Sequence, residues 1–69
     1  MNAPSSLEIS AARAAAGLTQ AEAAGVVYAD IRTWQRWEAD DRAMHPAIFE
    51  LFMIKTGQMR ARRKHTVKV

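Results

Sequence analysis

Arg32 and Arg36 stand four residues apart in the segment ADIRTWQRWEAD. If that segment is helical, the spacing puts both guanidinium groups on one side. A guanidinium is a planar donor. It grips a carboxylate, a phosphate or the O6/N7 edge of guanine with two parallel hydrogen bonds. The same two side chains also suit an ordinary solvated face, with charge pairs to Asp40 or Asp41. A second basic group lies at the end of the chain. Residues 55–69 hold Lys55, Arg60, Arg62, Arg63, Lys64 and Lys68 with no acid, a charge of +6. Residues 1–54 hold four arginines against seven carboxylates, a net of −3. A basic end beside an acidic body suits a polyanion, and suits equally a solubilising, disordered end.

Other chemistry has little support. There is no cysteine, which excludes a disulfide scaffold, thiolate chemistry and a zinc–thiolate cluster. His45 and His65 are far apart and lack metal-ligand spacing. Asp40, Asp41 and His45 read as loop groups beside a helix start. No nucleophile–base arrangement, paired carboxylate site or glycine-rich phosphate loop stands out. The expectation is a non-enzyme with no cofactor, no metal and no small-molecule ligand. Trp34 and Trp37 could stack on unpaired bases, but their i, i+3 spacing makes them core residues. No apolar run reaches membrane length, and MNAPSS is unlike a signal peptide, so a cytoplasmic protein is expected.

These groups need helices to hold them. Residues 1–4 are expected to be disordered. Ser5 with Glu8 forms a capping box, so a first helix starts near Ser6, runs through the alanine-rich LEISAARAAA and stops at Gly17. Ile9 and Ala12, with Leu18 just beyond, face the core. Thr19 with Glu22 forms a second capping box, opening a helix from about Gln20 to Val27 that presents Ala23, Ala24 and Val27. Asp30 is the next N-cap, its carboxylate accepting from Arg32 or Thr33, for a helix from Ile31 to Ala39. Asp40 to His45 has no period and is a loop. Pro46 suits a first helical position, and PAIFELFMIKT then runs to a stop at Gly57.

The last helix is apolar almost all round. Ile48, Leu51 and Phe52 make one face, and Phe49, Met53 and Ile54 widen it. Such a helix is buried on more than one side. In a chain of 69 residues a single core is marginal. Phe49, Phe52, Met53 and Ile54 are therefore candidates for a homodimer interface. The alternative is that the tail folds back, since HTVKV alternates like a short edge strand.

The stretch LTQAEAA…VVYADIRTWQRWE resembles the helix-turn-helix of Cro and lambda-repressor-like (XRE-type) transcriptional regulators. The match falls at Leu18, Thr19, Gln20, Glu22, Ala24, Thr33, Trp37 and Glu38. It covers roughly residues 15 to 57, with Arg13 just upstream. The resemblance implies an all-α fold, a small bundle of four to five helices, with residues 1–57 as the DNA-binding domain and 58–69 as a basic tail. It implies that Arg13 pairs with Glu38, although a solvated Arg13 on a phosphate is an alternative. It also implies that the helix opened by Ile31 lies in a major groove with its N-terminal residues at the bases. Ile31, Arg32 and Arg36 are then the base-reading candidates. Gln20, Thr33 and Gln35 are candidates for phosphate contact and positioning, with a base contact open for Thr33 and Gln35. Arg60, Arg62, Arg63 and Lys64 are candidates for phosphates or a minor groove.

The chain departs from the family pattern in two places. Tyr28 stands where glycine is usual, and a left-handed backbone there would cost about 1 kcal/mol or more, so a different turn is expected. Tyr28 could reach a phosphate, but the edge of the core suits it better. Ala23 replaces a leucine, and the large Trp34 is expected to restore the volume. The segments RTWQRWE and PAIFELFMIKTG look similar to anti-CRISPR-associated regulators. Such a regulator would be a dimeric repressor of its own phage or mobile-element operon, binding double-stranded DNA at an inverted repeat. Two rivals remain: an antitoxin-like module whose last helix docks on a partner protein, and an RNA-binding adaptor that uses the basic tail.

Overall fold

Ser5 and Thr19 start two helices in the same way. The Ser5 hydroxyl accepts from the Glu8 amide at 3.1 Å while the Glu8 carboxylate accepts from the Ser5 amide at 2.8 Å. Thr19 and Glu22 repeat the exchange at 3.1 and 2.9 Å. In the computed structural model, which describes residues 2–60, four helices follow in order: α1 (Ser6–Ala16), α2 (Gln20–Val26), α3 (Ile31–Glu38) and α4 (Pro46–Lys55). There is no strand among the described residues. This is the all-α small bundle expected from the sequence.

Two N-caps differ from the first pair. Asp30 precedes α3 with extended backbone, but its carboxylate makes no capping hydrogen bond, contrary to expectation. A carboxylate there still complements the positive end of the helix dipole without direct contact. His45 caps α4 through Nδ1, which accepts from the Ala47 amide at 3.0 Å, and Pro46 takes the first helical position.

All four helices end by one device. Gly17, Tyr28, Asp40 and Gly57 each have positive φ, between 60° and 77°. Each donates its amide back to a carbonyl of the last turn, and the next residue donates one carbonyl further back: Gly17 to Ala14 and Leu18 to Arg13; Tyr28 to Gly25 and Ala29 to Ala24; Asp40 to Trp37 and Asp41 to Arg36; Gly57 to Ile54 and Gln58 to Met53. This is the Schellman pattern, which satisfies carbonyls that a helix end leaves bare. Tyr28 therefore takes the left-handed path that its side chain was expected to avoid. The paired hydrogen bonds offset the backbone cost. So does Lys55, whose ammonium donates to Val26 O at 2.8 Å and Tyr28 Oη at 3.1 Å, and lies 4.3 Å from the ring centroid. Tyr28 is 84% exposed rather than at the core edge.

The core gathers Ile9 and Ala12 from α1, Ala23 and Ala24 from α2, Val27, Trp34 and Trp37 from α3, Met44 from the loop and Phe52 from α4. Trp34 is its centre. Its ring lies 5.1 Å from Phe52 and 5.5 Å, edge-on, from Trp37. Trp34 and Ala23 are both fully buried in this cluster. Leu18 is half-buried and packs on the rim. Phe52 is fully buried within the monomer, so it cannot be a dimer contact. The 3.6-residue period carries Phe52 inward, while Phe49, Met53 and Ile54 remain half-buried and Leu51 faces out.

Candidate nucleic-acid interface

α3 has two unlike sides. Trp34 and Trp37 are buried, and Ile31, Arg32, Gln35 and Arg36 are exposed. The inner rings fix the helix in place, so the outer side chains project from a rigid element. Arg32, Gln35 and Arg36 share one strip at i, i+3 and i+4. Neither arginine pairs with Asp40, Asp41 or any other described carboxylate. Thr33 is half-buried and borders the strip. Because Asp30 makes no capping bond, the first-turn amides of α3 have no side-chain partner from it. Such amides, at the positive end of a helix dipole, suit a phosphate oxygen.

Behind this strip sits Glu38, the last residue of α3. Its carboxylate accepts from Arg13 Nε at 2.5 Å, Arg13 Nη2 at 3.0 Å, Trp34 Nε1 at 2.5 Å and Gln20 Nε2 at 3.2 Å. Arg13 also donates Nη1 to Leu18 O at 3.1 Å. Three helices thus converge on one carboxylate, and Arg13 is the clamp rather than a solvated phosphate ligand. Burial pushes the Glu38 carboxyl upward. The hydrogen bonds from Arg13, Trp34 and Gln20, with the charge of Arg13, outweigh it and hold the group below its ordinary value of 4.5. Arg13 is raised, chiefly by its hydrogen bond to Glu38, partly opposed by burial and helped by the carboxylate charge.

The structure brings Gln20 into this group. Its amide donates to Glu38, and its Oε1 accepts from Gln35 Nε2 at 3.4 Å. Gln20 is half-buried, whereas Gln35 is exposed. Arg60 is exposed at the end of the described chain. Arg62, Arg63 and Lys64 lie outside the described residues, as does the HTVKV segment. Three participants were not found from the sequence. Trp34 as a donor to Glu38 could have been seen from their i, i+4 spacing. Lys55 as the cap of α2 and Met44 as a core residue have no local signal, since both depend on how α4 packs. Among the described residues no group of three or more His, Cys, Asp or Glu could hold a metal, and no helix is long and apolar enough to cross a membrane.

Two short helices in tandem, the second buried on one side and bare on the other, have the form of a helix-turn-helix. The profile of the Aca2/YdiL-like family matches residues 1–69. The chain belongs to that family, which comprises helix-turn-helix-type anti-CRISPR-associated regulators. No curated protein matches it with significance.

Proposed function

We propose that the chain is a sequence-specific double-stranded DNA-binding repressor of its own phage or mobile-element operon, acting in the cytoplasm without catalysis, metal or cofactor. One observation carries the reading. The exposed strip of α3 presents Ile31, Arg32 and Arg36 with both guanidinium groups free of described carboxylates, on a helix anchored by two buried tryptophans. Arg32 and Arg36 donate to guanine edges, and Ile31 packs on a thymine methyl. Gln20 and Thr33 position the helix, and Arg60, Arg62, Arg63 and Lys64 neutralise phosphates.

The active species is a homodimer. Phe49, Met53 and Ile54 stay half-buried and Leu51 is 38% exposed, so α4 keeps an apolar side uncovered in the monomer. Two copies joined there would place two α3 helices about 34 Å apart, one turn of DNA, and read an inverted repeat. The same uncovered side is what an antitoxin-like docking role would use.

A reporter under the control of the DNA upstream of the chain's own gene tests the repressor role. Expression of the chain in trans is expected to lower the reporter, and the Arg32→Ala, Arg36→Ala double variant to restore it. No change with the wild-type chain would refute autorepression. Sedimentation at micromolar concentration separates the α4 readings: a dimer lost in Met53→Ala, Ile54→Ala supports self-association, and a monomer favours a foreign partner.

A further inference from the structure

We propose that Gln35 reads an adenine, and that Gln20 is the residue that sets its orientation. The inference rests on α3 being the DNA-reading helix. An ionised carboxylate only accepts hydrogen bonds. Glu38, held below the ordinary carboxylate range and already accepting from Arg13 and Trp34, therefore fixes which end of the Gln20 amide faces it: the NH2 end, at 3.2 Å. The Gln20 carbonyl oxygen must then point away, toward α3. There it accepts one of the two Nε2 protons of Gln35, at 3.4 Å.

The amide of Gln35 is thereby oriented too. One Nε2 proton is used, and the second remains, with Oε1 beside it as a bare acceptor. A donor and an acceptor side by side match N7 and the N6 amino group of adenine in the major groove. Guanine presents two acceptors there, so Oε1 would face another acceptor. Gln35 lies on the same strip as Arg32 and Arg36, and it is exposed. The partly buried Arg13–Glu38 pair is thus connected to the surface through Gln20 and Gln35, and the connection removes rotamers from a side chain that would otherwise be free. Gln20 acts through Gln35 and is a positioning residue.

Selection from a pool of randomised duplexes, with sequencing of the bound fraction, tests this on the full chain. Wild type is expected to enrich a site with an adenine at one position of each half. Gln35→Ala should lose roughly tenfold preference at that position alone. Gln35→Glu should move the preference there to cytosine, whose amino group a carboxylate accepts. Gln20→Ala should weaken the adenine preference at the same position while leaving the positions lost in Arg32→Ala and Arg36→Ala intact. A merely structural Gln20 would instead lower affinity for all sequences alike. Thermal melts of each variant confirm folding. If wild type enriches a site and Gln35→Ala and Gln35→Glu leave every position unchanged, the inference fails while α3 remains the reading helix. If wild type enriches nothing, both fail.

Discussion

Removing the carboxylate at Glu38 is the sharpest perturbation of this fold. Glu38→Ala leaves three helices without their shared acceptor. Trp34 is fully buried, so its orphaned indole N–H costs about 1–3 kcal/mol. Arg13 has a quarter of its side chain exposed and regains water, which limits its loss to about 1 kcal/mol. Gln20 adds a few tenths more. The sum is about 3 kcal/mol, most of the roughly 3–5 kcal/mol that a single core of this size supplies. Thermal unfolding followed by circular dichroism is expected to show a Tm lower by about 12–24 °C, at about 4–8 °C for each kcal/mol. Glu38→Gln keeps the shape and one acceptor and should fall between. A double-mutant cycle with Arg13→Ala should give a coupling of about 1 kcal/mol or more. A Tm for Glu38→Ala within about 3 °C of wild type would refute the hub as a source of stability.

Further perturbations follow from the same contacts. Since the Glu38 carboxyl is lowered in the fold, its contribution is fully present above the ordinary value of 4.5 and fades as pH falls through the lower folded value; wild-type Tm should drop on acidification below that point, and Glu38→Gln should flatten the drop. His45→Asp replaces an imidazole cap with a carboxylate at the positive end of α4 and should raise stability by about 0.5–1 kcal/mol in a urea titration at neutral pH. Phe52→Ala should cost about 3–5 kcal/mol, as much as a single core of this size supplies, so circular dichroism at about 25 °C should show most of the helical signal lost, because Phe52 belongs to the monomer core. Lys55→Met removes the donor to Val26 O and the cation over Tyr28, and should lower Tm by about 4–8 °C, equivalent to about 1 kcal/mol.

The sequence was most legible where structure is local. The caps at Ser5 and Thr19, the stop at Gly17 and the inward tryptophans follow from side chains three or four residues apart, and each stands as expected. Legibility fell where a distant element decides. The glycine rule argued against left-handed Tyr28, yet Lys55, 27 positions on, supports it. Met44 sits in a loop without period and is buried because α4 brings the loop over the core. Phe52 was grouped with the outer side of α4 because an all-apolar helix gives no contrast from which to read its inner side. For the candidate site, the Arg13–Glu38 pair came from resemblance to a family. The resemblance also implied a positioning role for Gln20, but its bonds to Glu38 and Gln35 have no local signal, because an amide shows which way it points only beside its partners.

The measurement that bears most directly on the central claim is fluorescence anisotropy with the duplex upstream of the chain's own gene and a scrambled control, each at two salt concentrations. Wild type should prefer the native duplex, and the Arg32→Ala, Arg36→Ala variant should lose mainly that preference while keeping its salt-dependent affinity. Equal binding of both duplexes by wild type and variant, with a steep salt slope, would contradict a reading helix at α3 and leave only electrostatic attachment.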